Sequence, residues 1–113
     1  MCLAALLSFL GCKKAPTYPF DIEKAYHTTR PGIIAGGRIF YTFSEEGAMT
    51  YYEYPEYPPK YEGGMRDRGA QVYFVGLRPG TVTVTMNEIS PVGDRDSDSF
   101  DLIVDDDLRV TRA

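Results

Sequence analysis

The stretch at residues 71–86, which reads QVYFVGLRPGTVTVTM, constrains the fold more than any other part of this chain. In both halves of the stretch, β-branched and aromatic residues recur with a period of two, which is typical of a half-buried strand. Between the halves, Pro79 presets the φ angle of a turn and Gly80 supplies the positive φ that a type II turn needs. The stretch therefore predicts a β-hairpin with one apolar face, which further strands must cover. The residues of that face are Val72, Phe74, Val82, Val84 and Met86.

The chain has 113 residues, which is enough for one domain with a single core. Its formal net charge of -4 argues against a nucleic-acid partner, because no basic stripe is present to neutralise phosphates. Tyrosine is abundant, with 9 residues, and 6 phenylalanines accompany it. This aromatic content favours a β-rich domain over a helical one.

The same alternation predicts further strands before and after the hairpin. Residues 38–43 (RIFYTF) are apolar on both faces, which is typical of a strand in the middle of a sheet or at an interface. Residues 48–54 and 100–104 also alternate. About seven short strands, frequent turn signals and no long helix predict an all-β fold, an antiparallel β-sandwich.

The remaining segments are predicted to connect these strands. Residues 20–26 are either a first strand or the start of a short helix, and residues 27–32 have the composition of a turn. Residues 87–99 are polar and rich in turn formers, which predicts a loop. The three aspartates at residues 105–107 interrupt the last strands as a bulge or a bend.

The N-terminus is predicted to be a targeting segment. An apolar run from Leu3 to Leu10 is too short to span a bilayer but suits the hydrophobic region of a signal peptide. The next residues, Gly11 and Cys12, resemble the end of a bacterial lipobox, in which a small residue precedes a cysteine that is lipidated after cleavage. The alternative is a short apolar tail with an incidental cysteine.

This interpretation predicts the organisation and the location of the chain. Residues 1–11 form a lipoprotein signal peptide, residues 12–19 comprise the lipidated cysteine and a proline-containing tether, and residues 20–113 form the sandwich domain. The protein would be held on a bacterial membrane by its lipid and exposed outside the cytoplasm. Because Cys2 would leave with the signal peptide, the mature domain would hold neither a disulfide nor a cysteine nucleophile.

Two segments resemble known families. GLRPGTVTVTM, followed at a short interval by FDLIV, resembles the last third of bacterial immunoglobulin-like domains and also the chagasin family of cysteine-peptidase inhibitors. The order of strands and loops over residues 30–110 is similar too. The resemblance implies an immunoglobulin-like β-sandwich whose loops at 44–48, 62–69 and 90–98 cluster at one end.

The loops that inhibit peptidases in the chagasin family are only partly matched in this chain. The equivalent of the first loop keeps a glycine, the second keeps a glycine pair, and the third keeps a proline without its arginine and aromatic partners. The inhibitory residues are therefore not carried over, and inhibition of papain-family cysteine peptidases is the alternative function. The candidate binding residues in these loops are Glu45, Glu46, Gly47, Gly63, Gly64 and Pro91.

A tyrosine cluster at residues 51–61 has two interpretations. Tyrosine offers a large amphipathic contact area at a small entropy cost, which suits a binding surface. Tyrosine is also a common strand residue, so half of the cluster is equally expected to pack on the core. The candidate binding residues in this cluster are Tyr52, Tyr54 and Tyr57.

Catalysis and metal binding have little support in the sequence. The single histidine, His27, stands beside turn-forming residues, and no recognisable catalytic constellation accompanies it, so no enzyme and no cofactor are predicted. Asp94, Asp96 and Asp98 are spaced like the ligands of a calcium loop. However, Ser99 stands where that loop needs a glycine, so we expect a solvated acidic hairpin tip. The expected function is non-catalytic recognition of a protein, a peptide or a glycan.

Lipidation of Cys12 is directly testable. Cells grown with labelled palmitate are expected to label the wild-type protein and not the Cys12→Ser variant, because only the thiol can carry the lipid. The measurement is label in the immunoprecipitated protein. A wild-type protein without label would contradict the assignment.

Overall fold

Seven β-strands in two antiparallel sheets make up the part of the chain that this computed structural model describes, residues 17–55 and 69–113. The strands are β1 (Tyr26–Arg30), β2 (Arg38–Phe43), β3 (Met49–Pro55), β4 (Ala70–Gly76), β5 (Gly80–Ile89), β6 (Arg95–Val104) and β7 (Val110–Arg112). One sheet has the order β1-β4-β3 and the other has the order β2-β5-β6-β7. The prediction of an all-β sandwich of about seven strands is confirmed.

Some predictions concern residues 1–16 and 56–68, which lie outside the described residues. The signal peptide belongs to this group. In the described ranges, no helix is long and apolar enough to cross a bilayer. The candidate residues outside the described ranges are Cys12, Tyr57, Gly63 and Gly64.

The strand order corresponds to an immunoglobulin constant-type sandwich read from its strand B onward. Such a sandwich pairs strands A, B, E and D in one sheet and C, F and G in the other. Here β1, β4 and β3 take the places of B, E and D, and β2, β5 and β6 take the places of C, F and G. β7 pairs with β6 and adds an edge strand to the second sheet.

The predicted hairpin at residues 71–86 is wrong in its pairing, although both of its strands exist. β4 pairs with β1 and β3, whereas β5 pairs with β2 and β6. Residues 77–79 carry the chain from one sheet to the other, and Gly80 begins β5 with a φ of 143°. Alternation shows which face of a strand is buried but not which strand lies beside it. Because both halves bury an apolar face in the same core, the stretch has the pattern of a hairpin without being one.

The long hairpin of the fold is formed by β5 and β6, which pair along their 10 residues. The loop predicted at residues 87–99 is therefore wrong, since only residues 90–94 lie outside the two strands. Polar residues suit these strands because side chains bond across the pair on its solvent face, as Thr83 does with Asp101. Thr85 and Ser99, for example, join their hydroxyl groups at 3.0 Å.

The first strand also differs from its prediction. Residues 22–24 form a turn within the segment predicted as a strand or helix at residues 20–26, and most of the turn predicted at residues 27–32 belongs to β1. β1 is hard to recognise because one of its inward residues is Arg30, which is only 7% exposed. Periodicity assigns apolar residues to a core, not an arginine. Pro31 ends the strand, since it has no N–H to donate.

β2 and β3 lie within one residue of their predicted positions. Of the two positions predicted for β2, the middle of a sheet is wrong, because β2 lies at the edge of its sheet among the described strands, and an interface stays a prediction. Its outward Phe40 ring is covered instead by the guanidinium of Arg38, whose Cζ lies 4.8 Å from the ring centroid. This cation–π contact explains why an edge strand carries apolar residues on both faces.

The turn between β6 and β7 contains the three aspartates that were predicted as a bulge or a bend. The Oδ1 atom of Asp105 accepts hydrogen bonds from the backbone N–H of Asp107 and of Arg109, both at 2.9 Å. These bonds favour the charged carboxylate and hold the pKa of Asp105 below its usual value, and the bond from Arg109 has the larger effect. The turn returns the chain to the core at Val110, which is 4% exposed.

Phe74 of β4 lies at the centre of the core and has no exposed surface. Aromatic rings from β1, β2, β3 and β6 surround it, with centroid distances of 5.0 to 6.4 Å. Such distances are typical of favourable edge-to-face and tilted ring pairs. Phe74 is therefore the side chain that rings from both sheets contact. The surrounding rings are Tyr26, Tyr41, Phe43, Tyr51 and Phe100.

Gly76, at the end of β4, allows the two sheets to approach closely. A Cβ at this position would lie 2.4 Å from the Cγ1 of Val104 and 3.3 Å from the Cγ2 of Val110. The first distance is far shorter than any van der Waals contact between carbons. Glycine is therefore required here by the packing of β6 and β7 against β4.

Replacement of Phe74 by alanine is expected to lower the free energy of unfolding by about 3 to 5 kcal/mol, because the substitution leaves a cavity that rings from both sheets now enclose. Urea unfolding followed by circular dichroism measures the change. Ile103→Ala is the matched control, since Ile103 is 39% exposed on the outer face of β6 and should lose far less. Equal losses in the two variants would contradict the central position of Phe74.

Candidate functional site

The three loops that were predicted to cluster at one end do not do so. Phe43 pairs with Val84 and Met49 pairs with Gly76, so the loop at residues 44–48 lies at the end of the sandwich where β5 begins. The turn at residues 90–94 lies at the opposite end, where β5 finishes. The segments that flank residues 56–69 also end there, since Pro55 pairs with Ala70. The prediction fails because successive connections alternate between the two ends.

The sandwich has two ends, which we call the loop end and the far end. The loop end comprises the β1–β2 connection at residues 31–37 and the β5–β6 turn at residues 90–94. The far end comprises the connections at residues 44–48, 77–79 and 105–109. The candidate residue Pro91 lies at the loop end, whereas Glu45, Glu46 and Gly47 lie at the far end.

The far-end candidates form a solvated turn. Glu45 and Glu46 are exposed, and the Oε1 atom of Glu45 lies 3.9 Å from the Nη2 atom of Arg78. Both side chains are more than half exposed, so water screens this ion pair and it contributes little to stability. Gly47 has a φ of 78°, which explains the glycine by turn geometry alone.

A cavity of about 240 Å³ opens at the loop end. Its apolar lining comes from both connections of this end and from the adjoining ends of β2 and β5. Of the lining residues Ile34 is 43% exposed, and Val92, which follows the lining residue Pro91 in the β5–β6 turn, is 83% exposed. Exposed apolar residues grouped around a cavity are typical of a contact surface. The apolar lining residues are Ile33, Ile34, Ile39, Ile89 and Pro91.

Hydrogen bonds hold the β5–β6 turn in one shape. The N–H of Ser90 donates to the carbonyl of Asp94 at 2.8 Å, and the N–H of Gly93 donates to the carbonyl of Ser90 at 2.9 Å. The hydroxyl oxygen of Ser90 also accepts from the N–H of Asp94 at 3.0 Å and from that of Val92 at 3.3 Å. Val92 is therefore presented on a preorganised turn, which lowers the entropy cost of a contact.

Two glycines allow the loop-end connections to pack together. A Cβ at Gly36 would lie 3.3 Å from the Cβ of Pro91, and a Cβ at Gly37 would lie 2.9 Å from the carbonyl oxygen of Ile89. Gly36 also has a φ of 93°, and Gly37 closes the turn by donating to the carbonyl of Ile34 at 2.8 Å. Side chains at these positions would separate the two connections and remove one wall of the cavity.

Carboxylates line the inner side of the loop-end cavity. Glu88 and Asp96 are direct cross-strand neighbours on β5 and β6, and alternation from the buried Val84 places both on the inward face. Like charges in such a position repel each other. Arg38 and Arg95, which the same alternation places on the outer face of the sheet, also line the cavity. Three carboxylates and two guanidinium groups therefore surround it.

Deeper in the sandwich, β1 and β3 contribute a shielded ion pair. The Nε atom of Arg30 lies 3.3 Å from the Oε2 atom of Glu53, with side-chain exposures of 5% and 26%. The Nη1 atom of Arg30 donates to the carbonyl of Pro31 at 2.7 Å. Neither residue was a sequence candidate, because a charged pair at inward-facing strand positions leaves no periodic signal.

Five aromatic rings cover the outer side of the three-stranded sheet, and we call this surface the aromatic face. Ring pairs in contact have centroid distances between 4.9 and 6.4 Å, and all five rings are half-buried. The rings pack edge-on or tilted, except for one stacked pair. They come from the N-terminal segment, β3 and β4, and are Tyr18, Phe20, Tyr52, Tyr54 and Tyr73.

The tyrosine cluster of the sequence is thus divided between two environments. Tyr52 and Tyr54 belong to the aromatic face, whereas Tyr51 faces the core and its hydroxyl oxygen accepts from the N–H of Tyr41 at 3.3 Å. Both interpretations of the cluster hold for some of its members. Tyr73 was missed as a candidate, although alternation had placed it on the outward face. Its pKa lies above the usual value because of partial desolvation and then the neighbouring Tyr18.

His27 lies at the margin of the aromatic face. Its ring stacks on that of Tyr73 at 4.8 Å, and its Nε2 atom forms a hydrogen bond with the Oε1 atom of Gln71. These contacts place the histidine on the exposed outer side of β1. These contacts give His27 a packing role, because the hydrogen bond between the imidazole and the amide of Gln71 holds both side chains in place.

The aspartates with calcium-like spacing are stretched along a strand. Asp96 and Asp98 belong to β6, Asp94 precedes it, and Asp105 follows it at the other end of the sandwich. A calcium loop must wrap around its ion, and an extended strand cannot do so. Within residues 17–55 and 69–113, no three His, Cys, Asp or Glu side chains are grouped to hold a metal ion.

Stability is expected to fall above pH 10 because of Tyr41. Burial, followed by the carboxylate of Glu53, raises the pKa of Tyr41 from 10.0 to about 12. Below pH 10, Tyr41 is protonated in both the folded and the unfolded chain. Above pH 10, Tyr41 loses its proton in the unfolded chain and keeps it in the folded chain, so the free energy of unfolding falls as the pH rises. The loss due to Tyr41 approaches roughly 2 kcal/mol near pH 12.

Urea unfolding of the wild type and Tyr41→Phe across this pH range measures that loss. Tyr41→Phe should flatten the decline, and Tyr52→Phe, on the outer side of the sheet, is the control that should leave it unchanged. The same decline in all three proteins would contradict the assignment.

The chain matches no known protein family, no curated protein and no solved structure. The strand order is that of an immunoglobulin-like sandwich, whereas the resemblance of residues 76–86 and 100–104 to the chagasin family stays a prediction.

Proposed function

We propose that this protein is a non-catalytic, lipid-anchored binding module outside the cytoplasm, and that its domain recognises a polypeptide partner through the loop end. The observation that carries the proposal is the cavity of about 240 Å³ with Ile34 and Val92 exposed beside it. Leaving apolar side chains in water brings the isolated fold no benefit, whereas burying them against a partner is favourable.

The size of the cavity favours a single side chain over a small-molecule ligand. Pockets for drug-sized ligands measure about 300–1,000 Å³, and this cavity is smaller. A partner that inserts one apolar side chain and rests on Val92 would remove both apolar surfaces from water. Burial of this kind contributes about 25 cal/mol for each Å².

The charges of the cavity favour a basic residue beside that side chain. Glu88 and Asp96 face each other and Asp94 lines the same cavity, so its carboxylates outnumber the two arginines, Arg38 and Arg95, by one. A lysine or arginine of the partner would relieve their repulsion and steer the approach. The expected target is therefore a segment that combines an apolar residue with a basic one.

Inhibition of papain-family cysteine peptidases is the alternative function. In the resembling family it depends on three loops that share one end. The register favours the general binding function, because the loop at residues 44–48 lies at the far end and the turn at residues 90–94 lies at the loop end.

The lipid anchor and the location outside the cytoplasm rest on the sequence around Cys12. The small residue before that cysteine and the apolar run before it support both proposals. They stand independently of the loop end, and the palmitate experiment tests them separately.

The binding proposal can be tested by panning a displayed library of random peptides against the mature chain, residues 12–113. Enriched peptides are expected to combine an apolar and a basic residue. Val92→Ser should weaken their binding about tenfold or more, because a lost contact of about 1.4 kcal/mol corresponds to a factor of ten in Kd. Ile103→Ser, which changes an exposed apolar residue on the outer face of β6, is the control and should bind like the wild type.

Three results would contradict the loop-end proposal. The library could yield no peptide, the enriched peptides could bind Val92→Ser as well as the wild type, or a glycan array could bind while the peptide library does not. Inhibition of papain in a parallel assay would support the alternative function instead.

A further inference from the structure

The aromatic face differs from both ends of the sandwich in its charge. In the described part of β1, β3 and β4, no outward-facing position is acidic. The far end exposes Glu45, Glu46 and the aspartates at residues 105–107, and the loop end carries Glu88 and its neighbouring aspartates. The outward residues of the aromatic sheet are His27, Thr29, Thr50, Tyr52, Tyr54, Gln71, Tyr73 and Val75.

The N-terminal segment is seated on this same face. The ring of Tyr18 lies 5.3 Å from that of Tyr54 and 5.8 Å from that of Tyr73, and the ring of Phe20 stacks on that of Tyr52 at 4.9 Å. These contacts fix the place where the chain leaves the domain toward its N-terminus. That place is on the outer side of the three-stranded sheet.

The length of the preceding chain limits how far this face can be from the anchor. Cys12 precedes Tyr18 by six residues, and an extended chain spans at most about 3.3–3.6 Å per residue. A lipid on Cys12 would therefore keep Tyr18 within roughly 20 Å of the membrane surface. Lys13 and Lys14 lie in the same stretch and would attract anionic headgroups.

We propose that the aromatic face rests against the headgroup region of the bilayer that holds the lipid of Cys12. This inference rests on the lipid anchor in the proposed function, but not on the ligand of the loop end. Tyrosine suits such a position because its ring is apolar and its hydroxyl can stay hydrated, as in the aromatic belts of membrane proteins. The acidic ends would be repelled by anionic headgroups, so the face that turns toward the bilayer is the one whose described strands expose no carboxylate and whose neighbouring Asp21 is accompanied by Lys24.

A single tryptophan can report this orientation, because the chain contains none. The mature chain, residues 12–113, is coupled through Cys12 to a maleimide phospholipid in vesicles of phosphatidylcholine and phosphatidylglycerol. Tyr54→Trp places the reporter on the aromatic face. Phe40→Trp, an equally conservative change, places it on the outer side of the opposite sheet.

Lipids spin-labelled at the headgroup are expected to quench the fluorescence of Tyr54→Trp several-fold more strongly than that of Phe40→Trp. Adding Tyr52→Ser and Tyr73→Ser to Tyr54→Trp should reduce this difference, provided that circular dichroism shows an unchanged fold. Equal quenching of the two reporters, or stronger quenching of Phe40→Trp, would overturn the proposed orientation.

Failures of the two proposals can be told apart. Chemical coupling supplies the anchor whether or not cells lipidate Cys12, so a negative palmitate experiment would refute the natural anchor without changing the quenching result. Conversely, equal quenching would refute the orientation and leave the anchor and the loop end untouched.

Discussion

The burial of one phenylalanine ring between the two sheets is the interaction on which the rest of this structure depends. Phe74 lies in the central strand of the three-stranded sheet and contacts rings from β1, β2, β3 and β6. At the far end, Gly76 has no Cβ, so the side chain of Val104 can pack directly against the backbone of β4. Aromatic rings thus fill the centre of the core, and at the far end the two sheets pack more closely.

This packing determines where the connections of the chain lie. Because the chain crosses from the first sheet to the second at residues 77–79, β4 and β5 cannot form a hairpin with each other. β5 then pairs with β6, and the turn at residues 90–94 comes to lie at the opposite end from that crossing. The loop-end cavity exists because this turn meets the β1–β2 connection, and Gly36 and Gly37 leave room for Pro91 and Ile89 to pack there.

The surface divides into regions with different chemistry. The loop end combines a small apolar cavity with inward carboxylates, which suits an apolar side chain beside a basic one. The aromatic face is half-buried and holds the N-terminal segment, which suits the neighbourhood of an anchor. One surface would therefore face the membrane while the loop end remains free for a partner. The two proposals are compatible because they use different sides of the same sandwich.

The sequence by itself determined the class of fold, the faces of most strands and the inward positions of Val72, Phe74, Val82 and Val84, because alternation in a strand is local. Only the tertiary structure decided which strands are neighbours, since pairing joins residues far apart in the chain. In the structure, the predicted hairpin at residues 71–86 is a crossing between the two sheets. β1 contains a buried arginine, Arg30, and Glu45 and Pro91 lie at opposite ends of the sandwich. The candidate site was predictable only in part, through Pro91, Tyr52 and Tyr54. The isoleucines of the cavity and the seat of Tyr18 come together through contacts between distant segments, and local periodicity carries no information about those contacts.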